Sequence, residues 1–344
     1  MVQAFSINLI SGGLDSILAC KVLQGQGVRV KAVKFYSVFF PLRGQKKPQA
    51  VQEDFLNKYG IEISLEEVTR EFLDVVRFPK HGYGRWLNPC IDCKIFMYRK
   101  AGEIMKREGA DFVATGEVLN QRPMSQRGSA LKLIERESEL EGLVERPLSG
   151  KLLPLTRAQE KGLLDRGKLL DFVGRRRDRQ MALARELGIT DYPTPAGGCL
   201  LTDETFARRS KDLFVHNCAD MGALQLLNTG RHFRLSETAR LIVGRNEAEN
   251  NLLESFYSSV AGSSAVGSAN IMCIDPADVM GPTALLLGER EGALVEGAVR
   301  SAASIVARYS DGEGEVRIVI RSAHGETVMD AARAAEPLLE ARRI

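Results

Sequence analysis

The chain of 344 residues has no run of about 18 apolar residues, so no part of it reads as a membrane-crossing helix. Nor does it open on a charged and then apolar leader with a small-residue cleavage site, and the expected location is the cytoplasm. Charge of one sign is also scarce. With 47 Lys and Arg against 44 Asp and Glu, the net charge of +3 is too small to establish a nucleic-acid partner by itself. No internal repeat is present, which excludes a solenoid. Six cysteines in a chain of this size do not suggest a disulfide scaffold; the expectation is reduced thiols available for metal or sulfur chemistry. An apolar content of 44% and a charged content of 26% are those of a globular protein with room for two domains.

What the sequence does carry begins near its N-terminus. An apolar, strand-like run from Phe5 to Ile10 leads through Ser11-Gly12-Gly13-Leu14-Asp15-Ser16 into a helix-like run from Ile17 to Leu23. A Gly pair at a strand-to-helix turn lets backbone N–H groups crowd around an anion, and the helix dipole favours the same anion. Ser11 and Ser16 add hydroxyl donors. Asp15 beside a phosphate implies that a metal ion or a proton is handled there as well. An ordinary βα turn with an N-cap serine would explain a lone Gly-Gly, but the whole string is more specific. It resembles the pyrophosphate-binding loop of the ATP pyrophosphatases, which split ATP into AMP and pyrophosphate while adenylating a substrate oxygen. The resemblance implies an adenine nucleotide α-hydrolase-like fold. It also implies ATP bound with Mg²⁺ at Ser11, Gly12, Gly13, Leu14, Asp15 and Ser16, with Asp15 in a catalytic role.

Val28 to Tyr36 reads as a second strand, so the opening is that of an α/β, doubly wound parallel sheet. Ligands of such sheets sit at the carboxyl ends of strands. Phe35, Tyr36 and Ser37 either line an adenine pocket or are strand-end core. Helical signals over 50–59 and 70–77 flank a strand signal over 61–68. A Gly-, Pro- and aromatic-rich loop over 78–89 follows, containing the only Trp, Trp86. The loop ends in Cys90-Ile91-Asp92-Cys93, a helical pattern covers 94–108, and Ala110 to Glu117 is the next strand with its turn.

From that turn onward, Ala-Thr-Gly-Glu-x-Leu-x-Gln (114–121), Ser125-Gln126, 131–135 and Val144-Glu145-Arg146-Pro147-Leu148 resemble the matching segment of the tRNA 4-thiouridine synthases; the tRNA 2-thiouridylases share that fold. Thr115 and Gly116, at a strand's carboxyl end, are placed for the nucleotide's phosphates or ribose. Gln121, Ser125 and Gln126 suit a base or ribose, or simply a solvated loop. The resemblance has Arg146-Pro147-Leu148 opening the last core strand. Residues 163–187 read as one charged helix. Within it Arg175, Arg176, Arg177 and Arg179 either contact an RNA backbone or form a solvated helix start.

The first domain is expected over 1–204 and a smaller α+β domain over 205–344. In the second, 233–236 and 239–243 read as strands before a turn and a helix start. Residues 284–288 and 316–321 read as further strands, and 291–308 as an Ala-rich helix. Ile-Val-Gly-Arg-Asn-Glu-Ala-Glu-Asn-Asn-Leu (242–252) resembles the NFACT-type RNA-binding domain, with scaffolding or dimerisation as the plainer role.

Cys90 and Cys93 have the spacing at which two thiolates hold one metal ion or one cluster iron, and Cys199, in Pro-Ala-Gly-Gly-Cys, supplies a third. A structural zinc would need His81 or Cys218 as a fourth ligand. A redox pair would leave Cys199 idle, and a persulfide route would need a lowered thiol pKa. Several thiouridine-forming members of the resembled group carry three-cysteine [4Fe–4S] clusters, so the resemblance favours a cluster on Cys90, Cys93 and Cys199. It implies catalytic roles for Cys90 and Cys199. Cys20, Cys218 and Cys273 read as small core hydrophobes.

The resulting expectation is ATP-dependent thiolation of a tRNA uridine through an adenylated intermediate. The expected partners are tRNA and a sulfur donor, either sulfide or a cysteine desulfurase, with a second copy of the chain as a candidate and no membrane. Trp86 or Tyr83 is placed to stack a flipped base unless the loop simply packs them. Sulfur transfer to a small, thiamine-type molecule and an RNA-binding iron or redox sensor without catalysis are the competing readings.

Overall fold

A computed structural model describes residues 3–42, 47–192, 199–261, 271–288 and 293–344. It divides into two units, Met1–Asp203 and Glu204–Ile344.

The alternating strand and helix signals of the first unit resolve into a five-stranded, all-parallel sheet with helices around it. In chain order the elements are β1 (Phe5–Leu9), α1 (Leu14–Gln24), β2 (Arg29–Tyr36), α2 (Pro48–Tyr59), β3 (Glu62–Glu67), α3 (Thr69–Arg77), α4 (Cys90–Glu108), β4 (Phe112–Thr115), α5 (Gly128–Glu137), β5 (Val144–Glu145), α6 (Arg157–Glu160) and α7 (Asp178–Glu186). The strand order is β3-β2-β1-β4-β5, with Leu9 opposite Val33 on one side and Thr115 on the other. This is the doubly wound sheet expected from the sequence. β1 is buried between its neighbours, and even its polar residues are satisfied inside: Ser6 Oγ donates to Asn8 Oδ1 at 2.7 Å and Asn8 Nδ2 to Cys20 Sγ at 3.3 Å. The chain reverses direction across the sheet between β1 and β4. The turn after β1 and the turn after β4 therefore face one crevice, where such sheets bind ligands.

Two expectations are corrected. β5 covers only Val144–Glu145, so Arg146-Pro147-Leu148 leaves the last strand rather than opening it; Pro147 has no N–H to continue a ladder. The charged stretch 163–187 is helical only over α7, with a 3₁₀ turn at Arg166–Lys168. Asp165 Oδ1 accepts the Gly167 N–H at 2.8 Å, and Gly174 sits at φ +83°, so the helix is interrupted. The residues between run extended instead. Leu170 N–H donates to Pro147 O, Phe172 N–H to Leu148 O and Gly174 N–H to Leu119 O, each at 2.8 Å. Tertiary backbone pairing outweighs a helical propensity of a few tenths of a kcal/mol per residue, about what allows.

The second unit contains α8 (Glu204–Val215), α9 (Met221–Gln225), β6 (Arg231–Arg234), β7 (Arg240–Val243), α10 (Glu247–Ala261), β8 (Ile271–Pro276), β9 (Ala284–Leu287), α11 (Ala293–Arg308), β10 (Val316–Ser322), β11 (Gly325–Ala331) and α12 (Glu336–Arg342). Its six strands form an antiparallel sheet in the order β11-β10-β8-β9-β7-β6. The Ala-rich helix buries Ala302, Ala303, Ile305 and Val306 against the core of that sheet. Among the described residues no helix is long and apolar enough to cross a membrane.

Candidate active site: a glycine turn and three cysteines

The Gly-Gly turn is held open from within. Gly12 lies at φ +81°, a conformation that side chains resist. Gly13 N–H donates to Ser11 Oγ at 3.3 Å, and Ser16 Oγ donates to Gly13 O at 2.7 Å. Gly13 is the N-cap of α1 and no side chain caps that helix; the Ser16 N–H already donates to Gly13 O at 3.1 Å, which leaves the Leu14 and Asp15 amides to an anion. Lys34 Nζ donates to Ser11 O at 2.7 Å, which sets a cation against the outer side of the turn. Leu14 is core.

Asp15 lies at the floor of the crevice and is 8% exposed. Its Oδ2 accepts hydrogen bonds from Gln121 Nε2 at 3.1 Å and Arg177 Nη2 at 2.8 Å. Its Oδ1 is buried with no hydrogen-bond partner. An orphaned carboxylate oxygen costs desolvation without return, and a cation arriving with a phosphate is the kind of partner it lacks. Mg²⁺ therefore fits the donor set here.

Gly116 packs against α1. A Cβ at that position would come within 2.5 Å of the Asp15 and Ser16 backbone, so only glycine lets β4 and the turn approach so closely. Thr115 is buried, and its Oγ1 accepts the Glu117 N–H at 3.3 Å. Phe35 is buried at the end of β2. Ser37 Oγ holds the turn after β2 by accepting the N–H groups of Phe39 and Phe40 at 3.1 and 3.3 Å.

Two separate segments carry the three cysteines. Cys90 and Cys93 lie three residues apart on the first turn of α4, hence on one face. The preceding loop folds back onto the helix start: the Lys80 and His81 N–H groups donate to the Asp92 carboxylate at 3.0 and 3.1 Å. Cys199 opens a short 3₁₀ turn tied down on both sides, Leu200 N–H donating to Phe39 O at 2.9 Å and Leu87 N–H to Leu201 O at 3.2 Å. The preceding Pro-Ala-Gly-Gly lies outside the described residues.

The thiols feel one another. Burial is the main reason all three pKa values are raised. Cys199 further raises that of Cys93, and Cys90 adds to both. Cys199 is pushed up to about 11, despite the backbone N–H groups of Leu201 and Thr202 and the charge of Arg122. Burial and mutual repulsion thus favour the neutral thiols over the thiolates. Among the described residues no group of three His, Cys, Asp or Glu side chains is arranged to hold a single metal ion. Thiolates around one zinc stand about 3.8 Å apart, given Zn–S near 2.3 Å. An all-thiol trio is the donor chemistry that a [4Fe–4S] cluster takes, with a separate iron for each cysteine. His81, a candidate fourth zinc ligand, instead holds Glu137 Oε2 at 3.1 Å.

Beneath the trio lies a network that no short sequence pattern displayed. Glu117, fully buried, receives the Tyr98 hydroxyl, Arg146 Nε at 3.1 Å and an ion pair from Lys94 at 3.2 Å; Arg146 also pairs with Glu135. Burial alone would raise the Glu117 pKa, but Lys94 and Arg146 outweigh it and hold it down to about 2. Because the folded value lies below the ordinary 4.5, the carboxylate contributes stability that is complete above pH 4.5. That contribution is lost as pH falls towards 2. The shift corresponds to about 3 kcal/mol. In urea titrations, Glu117→Gln should be less stable than wild type by roughly 3–5 kcal/mol at neutral pH, because it strands Arg146 and Lys94. The gap should narrow by about 3 kcal/mol as the pH falls from 5 to about 2; a gap independent of pH would contradict the network.

The arginine cluster does not act as one surface. Arg175 and Arg176 are exposed, whereas Arg177 reaches inward to Asp15. Arg179 pairs with Asp171 and lies 4.6 Å from the Phe172 ring centroid. Of the loop aromatics, Trp86 is 43% exposed at φ +57°, so it is not packed as core, and the Tyr83 hydroxyl donates to Val76 O at 2.6 Å. Cys20 and Cys273 are core, as read from the sequence, while Cys218 is only half-buried, its Sγ donating to His216 O at 3.1 Å.

Residues 1–151 match the family described as "Thiamine biosynthesis protein (ThiI)". The first unit carries a ThiI-family domain. Residues 230–341 match the "NFACT protein RNA binding domain". The chain is 31% identical over 117 residues to a tRNA-specific 2-thiouridylase, MnmA 3, of Phocaeicola vulgatus, covering 31% of each protein. It is 32% identical over 152 residues to a tRNA sulfurtransferase of Yersinia pestis (strain Pestoides F), covering 41% of this chain and 28% of that protein. The chain thus spans less than a third of the length of these relatives. Among solved structures, a U34-tRNA thiolase, NcsA, from Methanococcus maripaludis with its [4Fe-4S] cluster is 16% identical, with a TM-score of 0.32 over 65% of this chain and 70% of that one. That likeness is too slight to assign anything to the site. The ThiI match contains the glycine turn, Cys90, Cys93 and Glu117, and ends before Arg177 and Cys199.

Proposed function

We propose that the chain is an ATP-dependent tRNA sulfurtransferase that adenylates a uridine carbonyl oxygen and then replaces that oxygen with sulfur. One observation carries the reading. The segment after β4 borders both halves of the site, with Gln121 on Asp15 while the charge of the adjacent Arg122 bears on Cys90 and Cys199. The ThiI-family domain, the relatives named for tRNA thiolation and the NFACT-type match support the same substrate class.

In this reading the α1 amides, Ser11 and Ser16 receive the phosphates of ATP, and Asp15 holds the accompanying Mg²⁺ through Oδ1. The uridine oxygen forms a bond to the α-phosphorus as the bond to pyrophosphate breaks, and pyrophosphate remains in the glycine turn. Sulfide then attacks the activated ring carbon, and AMP departs with the oxygen. Cys90, Cys93 and Cys199 are the residues that would hold a [4Fe–4S] cluster. With three protein ligands such a cluster supplies one iron with an open position for hydrosulfide. Deprotonation of the trio requires a bound cation. Sulfide serves as donor; sulfur from a cysteine desulfurase, which arrives as a persulfide, enters the same step once a thiol reductant has supplied the two electrons that release it as sulfide, and the reaction belongs to the cytoplasm, where tRNA and ATP meet. The exposed Arg175 and Arg176 and the NFACT-type unit contact RNA.

The test is AMP formation by anaerobically prepared protein with sulfide, with and without bulk tRNA, followed by nucleoside analysis. Thiouridine appearing together with tRNA-stimulated AMP is the expected result. AMP formation indifferent to tRNA would move the activity to a small molecule, and no AMP at all would remove it.

A further inference from the structure

The ion pair between Arg177 and Asp15 is a feature of the glycine turn that this chemistry does not use. Arg177 stands at the end of the extended segment that replaces the expected helix, and that segment is pinned to Leu119 O and Leu148 O by backbone hydrogen bonds. The side chain is three-quarters buried and reaches Asp15 Oδ2 at 2.8 Å, across the mouth of the uncapped α1. Asp15 is already served at that oxygen by Gln121, while Oδ1 has no hydrogen-bond partner. A bare carboxylate beside an anion site repels the anion, so something must reverse the local charge when phosphate enters. A guanidinium is suited to that task, because its planar fork recognises phosphate oxygens as readily as a carboxylate. Lys34, the other cation at the turn, is engaged with Ser11 O.

We propose that Arg177 is a nucleotide-phosphate ligand and not an RNA contact. When ATP enters, it exchanges Asp15 for a phosphate oxygen, and Asp15 is freed for the cation that accompanies the nucleotide. The inference rests on the reading that the glycine turn binds ATP. It separates Arg177 from Arg175 and Arg176, which point to solvent within the same basic run.

The full chain, its Arg177→Ala and Arg177→Lys variants and the double variant Arg175→Ala/Arg176→Ala are compared by calorimetric titration with Mg·ATP and with inorganic pyrophosphate. tRNA binding is measured across a salt series. Arg177→Ala should weaken Mg·ATP and pyrophosphate binding at least about tenfold, and Arg177→Lys should recover part of the loss because it keeps the charge. Neither should change the tRNA salt slope, whereas the Arg175/Arg176 variant should lower that slope by about 2 and leave ATP affinity intact. Melting temperatures establish that the variants are folded, and Arg177→Lys carries the test if Arg177→Ala is not. Unchanged or tighter ATP binding in the Arg177 variants, while wild type binds ATP, overturns this inference and leaves the function standing. Failure of wild type to bind ATP overturns both.

Discussion

Cys199→Ala should reduce tRNA thiolation roughly a hundredfold or more while leaving Mg·ATP affinity within about twofold. Cys199 reaches the α4 cysteines only because Leu200 and Leu201 are hydrogen-bonded to Phe39 and Leu87, and it contributes nothing to the glycine turn. Removing it leaves two thiols on one helical turn, a pair with too few ligands for a cluster. Anaerobically purified wild-type protein should be brown and carry close to four irons and four sulfides per chain, about what a single cubane contains. The variant should lose most of both. Colourless wild-type protein with one zinc, or a Cys199→Ala variant that thiolates normally, would remove the trio from the reaction. The same preparations offer a control, because alanine at the buried Cys20 should alter stability but not iron content.

Asp15→Asn should lower AMP formation by roughly two to three orders of magnitude, the size of effect seen when one well-placed electrostatic group is removed from an active site. The substitution preserves shape and the acceptor for Gln121 and Arg177, so the turn should stay folded; what it removes is the negative charge offered to Mg²⁺. The loss should therefore appear in the metal dependence, as a Mg²⁺ requirement shifted to higher concentration, with tRNA binding unaltered. Wild-type magnesium dependence combined with slow turnover would assign Asp15 to proton handling instead. Because the proposed function puts Asp15 and Cys199 in different halves of the reaction, each variant should spare the binding step that the other half depends on.

The glycine turn was legible because its requirements are local. A strand, two glycines, a carboxylate and a helix start within twelve residues suffice to specify it, and the structure places them as read. Cys90 and Cys93 were legible for the same reason, since helical spacing alone puts them on one face. Lys94, Glu117, Tyr98 and Arg146 were not read as a unit, although each stands in or beside a recognised motif. Their meaning lies in a buried carboxylate balanced by two cations, and burial depends on which elements come to cover it. The inward turn of Arg177 to Asp15 was not legible, because a run of arginines looks alike in sequence, whatever direction the side chains take.

By itself the sequence determined the alternation of strands and helices, the glycine turn between β1 and α1 and the helical spacing of Cys90 and Cys93, because these follow from spacing of a few residues and from backbone chemistry. Only tertiary structure decided how the Cys199 turn is tied to Phe39 and Leu87, that residues 169–173 run extended, and that Arg177 turns inward to Asp15. The physical reason is one and the same. These outcomes depend on hydrogen bonds between segments distant along the chain, such as Leu200 to Phe39 and Gly174 to Leu119, whose partners are chosen by the packed sheet and not by their neighbours in sequence.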